Sequence, residues 1–116
     1  FGKCDSVFCC GLPGNPVAAF VMFELLVKPF VFRMMGHDYR PLDVEARVTT
    51  PLSRDGARRQ ACIPVRFLAP DLVDPLPYHG PAHISSLVGA DGFIVTPPGG
   101  ISLKTGDRIL VRTIDR

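Results

Sequence analysis

Between Pro16 and Met35 the chain is apolar at most positions, broken only by Glu24, Lys28, Pro29 and Arg33. An apolar stretch of this length is too long for a strand and predicts a buried helix. Asn15 and Pro16 supply an N-cap and a first-turn proline. Pro29 predicts a kink or an end to the first section, and Gly36 a C-terminal stop. Ahead of the helix, "VFCC" at 7–10 is a continuous apolar run closed by Gly11. That is the pattern of a strand buried on both faces, hence of a parallel sheet. Residues 5–36 read as strand, tight loop and helix.

After Pro41 the pattern changes to alternation. Val44, Ala46 and Val48 fall on one face, and Glu45, Arg47 and Thr49 on the other, which predicts a half-buried strand. The turn-rich "PLSRDGARR" follows, with Asp55-Gly56 as a hairpin signal, and Ala61, Ile63, Val65 and Phe67 then return in phase. Pro64 has no amide to donate, so this strand is expected along an edge. "GFIVTPP" and "GDRILVRTID" predict two more strands joined by "GGISLKTG", and "AHISSLVGA" a short helix or one turn of helix. The expected fold is an α/β remnant (strand, loop, helix) over residues 1–40, followed over 41–116 by a small all-β barrel, with a sandwich as the other architecture for so many short strands.

Composition narrows the function classes. A chain of 116 residues holds one modest core, or one domain and a piece of another, and 47% apolar residues exclude intrinsic disorder. The net charge of +2 comes from mixed signs along the chain, so no nucleic-acid partner is expected. The breaks within 16–35 fall short of a span of about 20 apolar residues, so no membrane partner is expected either. No basic segment followed by a short apolar run opens the chain, and a cytoplasmic location is expected. Cys4, Cys9, Cys10 and Cys62 are unevenly placed and lack a Cys-x2-Cys pair. They read as buried free thiols rather than as two disulfides or a zinc site.

The candidate chemistry begins at "GLPGNP", residues 11–16. A strand that turns into a helix leaves the first helical amides pointing outward with the positive end of the helix dipole behind them, which suits an anion. Gly11 and Gly14 permit positive φ or close backbone approach, and Pro13 and Pro16 stiffen the loop. The plainer alternative is that Asn15-Pro16 only caps a helix after a tight turn. The loop is neither a Gly-x4-Gly-Lys-Ser nor a Gly-x-Gly-x2-Gly phosphate motif, because the prolines interrupt both and no Lys follows. His79 and His83 have helical spacing, but Gly80-Pro81 forbids a regular helix through them, and no metal site is expected. Ser85 and Ser86 near His83 lack a carboxylate to complete a triad and read as caps or as hydroxyls lining a cleft. Asp71 and Asp74 read as a solvated loop, and Arg54, Arg58 and Arg59 as a solvated hairpin tip.

The stretch "GLPGNPVAAFVMFELLVKP" resembles the loop and helix near the end of the third domain of the MoeA family of molybdopterin molybdenumtransferases, which includes the C-terminal part of gephyrin. The remainder resembles that family's fourth domain, a small β-barrel, through "HGPAHISSLVGADGFIVTP" and the "LKTGDRILV" ending. The resemblance implies the C-terminal part of an enzyme of molybdenum cofactor biosynthesis that inserts molybdate into adenylylated molybdopterin with magnesium. It implies that Pro13, Gly14, Asn15 and Pro16 shape the wall of the substrate cleft. From the barrel it implies substrate contacts from Arg66, His83, Ser85 and Ser86. The magnesium and pyrophosphate elements of the family match nothing in this chain, so the chain alone is expected to be inactive. A homodimer is implied as well. Two positions depart from the family pattern: Pro64 stands where an Arg is usual, and Ala82 where a Ser usually precedes the His. They keep two alternatives open, a gephyrin-like binding or scaffold module and a stand-alone barrel without catalysis.

Overall fold

The structure, a computed structural model, describes residues 1–56, 58–77 and 84–114. Its contacts fall into two compact units, one holding Phe1–Arg40 and the other the strands that follow Pro41.

In the first unit, β1 (Gly2–Cys4) and β2 (Val7–Cys9) form an antiparallel hairpin, with Asp5 at φ 53 in its turn. A helical run follows: α1 (Pro16–Met22), a π turn (Phe23–Val27) and α2 (Lys28–Met34). The N-cap is as the sequence predicts, since the Asn15 side chain accepts from the amides of Val17 and Ala18 at 3.0 and 3.4 Å. The kink assigned to Pro29 takes the form of the π turn, in which the Lys28 amide reaches back to the Phe23 carbonyl. A π turn is one way a helix absorbs the missing donor and ring bulk of a proline. At the other end Gly36 takes φ +82, its amide bonds to the Arg33 carbonyl at 3.0 Å, and the His37 amide bonds to that of Phe32 at 2.9 Å. This paired closure is the Schellman arrangement, available to Gly36 because it has no Cβ.

Two expectations for this unit are corrected. The strand at 7–9 is exposed and pairs antiparallel, not in a parallel sheet, and among the described residues no third strand joins it. Cys4, Cys9 and Cys10 are free but exposed for the same reason, and Cys62 alone is half-buried. An apolar run records that a strand is suited to burial, not which neighbours are at hand to bury it. The hairpin does find one partner within the unit: Phe8 and Phe1 each meet Phe30 edge-on, with centroids 5.2 Å apart.

The second unit is a closed barrel of five strands: β3 (Asp43–Val48), β6 (Leu72–Pro75), β5 (Cys62–Ala69), β7 (Gly92–Val95) and β9 (Arg108–Thr113), in that order around it. The alternation read from the sequence is what fills it. Ala46 and Val48 from β3, Ile63 and Val65 from β5, and Val73, Ile94 and Val111 form one buried cluster. The strands β4 (Leu52–Asp55) and β8 (Gly100–Leu103) make a separate two-stranded ribbon in which Leu52 faces Leu103, and both pack on the core. Asp55-Gly56 therefore does not close a hairpin between β3 and β5, and the segment "GGISLKTG" is not merely a connection. Leu52 and Leu103 bury apolar surface only if these two segments pair.

Pro64 is not at an edge, because β5 lies between β6 and β7. Its carbonyl accepts from the Leu76 amide at 2.8 Å, so its nitrogen faces the same side, just beyond the point where β6 ends at Pro75. A proline is tolerated inside a closed sheet where the neighbouring ladder has already stopped.

Gly99 and Gly100 both take φ +101, but only at Gly100 would a Cβ meet another backbone group, the Arg54 carbonyl across the ribbon. Gly99→Ala is expected to cost about 1 kcal/mol from backbone strain and Gly100→Ala about 2–3 kcal/mol. Urea unfolding of the two variants checks this, and equal midpoints would show that the contact with Arg54 is immaterial.

On the outer face, Asp43 and Arg112 stand opposite each other and form a two-pronged ion pair at 2.9 and 3.0 Å. The hydrogen bonds from Arg112 hold the Asp43 carboxyl below the usual carboxylate range, against a smaller opposing effect of burial. A carboxylate depressed on folding stabilises the protein above its unfolded value near 4, and that gain is lost as pH falls through the folded value. Asp43→Asn should thus lower the thermal midpoint at pH 6, by an amount that shrinks as the pH falls below about 4. The side chains are 38% and 34% exposed, so the effect is at most about 1 kcal/mol. A deficit that does not shrink at all as the pH is lowered from 6 towards the acid limit of folding would rule out this electrostatic origin.

Candidate functional site

The loop Gly11–Asn15 joins β2 to α1. Pro13, Gly14 and Pro16 are exposed and Asn15 half-buried, its side chain committed to the helix amides. Gly14 does not take a positive φ, and a Cβ built on it would have nothing within 4 Å. The same is true of Gly11. Of the two uses read for these glycines, positive φ is not taken up, and room for close backbone approach is what remains. The chain itself makes no demand for glycine at Gly14, and what the missing side chain leaves is open space beside the loop. Next to it is an apolar pocket of about 270 Å³, lined by Phe1, Cys10, Gly11, Leu12, Pro13, Met22, Leu26 and Val27.

The barrel unit brings Arg66 and Ser85 onto one connected structure. Ile84–Leu87 is a single 3₁₀ turn that carries Ser85 and Ser86, and Ser85 is exposed. Arg66, on β5, is exposed and its Nε donates to the Gly89 carbonyl at 3.3 Å, four residues along from Ser85. His83 and His79 lie outside the described residues.

Charges elsewhere on the barrel are engaged. Arg47 meets Asp71 at 2.8 Å and Arg108 meets Glu45 at 3.0 Å. Asp74 lies in β6, not in a loop, and accepts the hydroxyls of Thr49 and Thr50. Asp74 is thus a structural acceptor, contrary to its reading as part of a solvated loop, whereas Asp71 is exposed in the turn before β6, as read, and pairs there with Arg47. Arg54 sits on β4 beside a groove of about 370 Å³ that Pro51, Ile63 and Pro75 also line. Among the described residues no three of His, Cys, Asp and Glu gather as a metal would require.

A residue that the sequence reading passed over is Asp91. Its carboxylate accepts the Phe67 amide at 3.0 Å while its own amide bonds to the Val65 carbonyl at 2.8 Å. The available signal was the turn pattern "GADG", an acceptor side chain just before a strand.

Comparison with known proteins agrees with this architecture. Residues 45–114 match the family described as the MoeA C-terminal region (domain IV). The chain is 30% identical over 105 residues to molybdopterin molybdenumtransferase 1 of Mycobacterium tuberculosis, covering 83% of this chain and 24% of that protein. It is 50% identical over 36 residues to the molybdopterin molybdenumtransferase of Haemophilus influenzae, covering 31% of this chain and 9% of that protein. Among solved structures, the molybdopterin biosynthesis MoeA protein of Pyrococcus horikosii superposes with a TM-score of 0.73 at 30% identity, over 89% of this chain and 25% of that one. The chain thus spans no more than about a quarter of these relatives. No helix among the described residues is long and apolar enough to cross a membrane. With the ribbon and all of the closed barrel except the first two residues of β3 falling inside the matched residues, the chain belongs to the MoeA family through that family's C-terminal region, domain IV.

Proposed function

We propose that this chain serves molybdenum cofactor biosynthesis as the C-terminal part of a molybdopterin molybdenumtransferase, the protein that inserts molybdate into adenylylated molybdopterin. The observation that supports it best is the match of residues 45–114 to the family's domain IV, together with the names of the relatives. Residues 1–40 then supply the last strand, loop and helix of an α/β molybdopterin-binding domain, and residues 41–116 the barrel domain.

In this reading Pro13, Gly14, Asn15 and Pro16 form part of the wall against the pterin or the molybdate oxyanion. The Asn15 side chain fixes the helix start, and Pro13 and Pro16 keep the loop from losing entropy when a ligand docks. The barrel contributes Ser85, Ser86, His83 and Arg66 to substrate binding, with hydroxyl, imidazole and guanidinium donors suited to an oxyanion. Any magnesium is held by residues outside this chain. The exposed Phe23, Leu26, Val31 and Met34 of the helical run, 42–58% accessible, support covering by a homodimer or by more of the α/β domain. A cytoplasmic location accords with this chemistry.

The test is molybdate insertion by the full protein. Supplied with adenylylated molybdopterin, molybdate and magnesium, it is expected to release molybdenum cofactor. A correctly folded full protein that forms none, while capturing a protein partner, would replace this reading with the scaffold one.

A further inference from the structure

Three successive residues of β5 hold the segment that leads into β7. The Val65 carbonyl accepts from the Asp91 amide at 2.8 Å, the Arg66 Nε donates to the Gly89 carbonyl at 3.3 Å, and the Phe67 amide donates to Asp91 Oδ2 at 3.0 Å. The β5–β7 ladder ends where Val65 faces Gly92, so the Asp91 carboxylate takes the place the next strand residue would have filled for the Phe67 amide. Gly89, at φ +82, is where the Arg66 guanidinium lies close, and a Cβ there would run into it. Further back along the chain, the Ala90 amide bonds to the Leu87 carbonyl and the Val88 amide to the Ser85 carbonyl, each at 3.1 Å. Ala90 is buried at 1% exposure, while Ser85 is exposed. A path of hydrogen bonds thus runs from β5 to Ser85.

We propose that Asp91 and Arg66 are positioning residues: together they clasp the Ser85–Ala90 segment to β5 and present the Ser85 hydroxyl to substrate in one orientation. The inference rests on the functional reading above for what Ser85 meets, and on the hydrogen bonds for how it is held. It gives Arg66 a task directed at the Gly89 carbonyl. Asp91, hydrogen-bonded through both its side chain and its backbone, is the stronger half of the clasp. The Arg66 bond is single and on an exposed side chain, and is the weaker half.

Residue-resolved hydrogen exchange on the full protein tests the clasp without reference to activity. Asp91→Ala is expected to speed exchange of the Val88 and Ala90 amides about ten-fold or more and to leave Val48 and Thr96 as they were. Asp91→Asn keeps an acceptor for the Phe67 amide and should exchange as the parent does. Unchanged rates at Val88 and Ala90 in Asp91→Ala overturn the proposal. Should Asp91→Ala loosen the whole barrel, Arg66→Ala reads the same amides with the fold intact: faster exchange at Val88 supports the clasp, and parental rates overturn it. In molybdate insertion, Asp91→Ala should lower kcat about ten-fold, with recovery in Asp91→Asn. An equal kcat in an active parent and Asp91→Ala also overturns the positioning role. A parent that never inserts molybdate refutes the functional reading instead, and the exchange result still decides whether the clasp exists.

Discussion

Gly14→Val in the full protein should fold as the parent does and lose about 10²-fold in molybdate insertion. The first half follows from the chain itself, where Gly14 has an ordinary φ and a Cβ there would touch nothing within 4 Å. Surface changes of this kind stay within about 0.5 kcal/mol. The second half follows from the proposed role of the loop: an isopropyl group on the cleft wall displaces a reacting group by roughly its own radius. Thermal midpoint and insertion rate, measured together, check the two halves. Equal insertion rates would remove the loop from the site, and a large fall in midpoint would mean that the glycine serves the fold after all.

Ile94→Ala is expected to destabilise the barrel by about 2–5 kcal/mol. Ile94 is fully buried, and its neighbours in the cluster are Ala46, Val48, Ile63, Val65, Val73 and Val111. All are short and mostly β-branched, with the longer Leu52, Phe67, Leu103 and Ile109 packed against the cluster and only partly buried. The cost is to be set against a total stability of about 5–15 kcal/mol for a domain. Leu110→Ser is the control, since Leu110 is 61% exposed and its loss should stay within about 0.5 kcal/mol. Denaturant unfolding of both variants decides the matter, and equal losses would mean that the barrel interior is not where the stability resides.

What could be read in the sequence was local and periodic. The cap at Asn15, the stop at Gly36 and the inward faces of β3 and β5 each depend on residues within a few positions of one another, and each stands as read. What could not be read was partnership. Asp55-Gly56 has hairpin chemistry, yet β4 pairs with β8 because Leu52 and Leu103 need each other's cover. "VFCC" has the composition of a central strand, yet among the described residues its one strand partner is β1. Pro64 signals a missing donor correctly, but where that donor would have pointed depends on where β6 ends. The same split holds at the candidate site: the Pro13–Pro16 loop is visible as a motif, whereas Asp91 matters only through an amide 24 positions earlier.

The barrel closes by joining its first strand to its last, with Asp43 paired to Arg112 across 69 positions of sequence. No earlier pairing completes the ring, so β3 keeps an open edge until β9 arrives. Such distant pairings must meet the entropy of closing a long loop before any contact repays it, which places folding in the slow range of about milliseconds to seconds. On the ribosome, this unit can reach its native topology only after residue 113 has left the exit tunnel, and a chain stopped short of β9 would expose two unpaired strand edges at once.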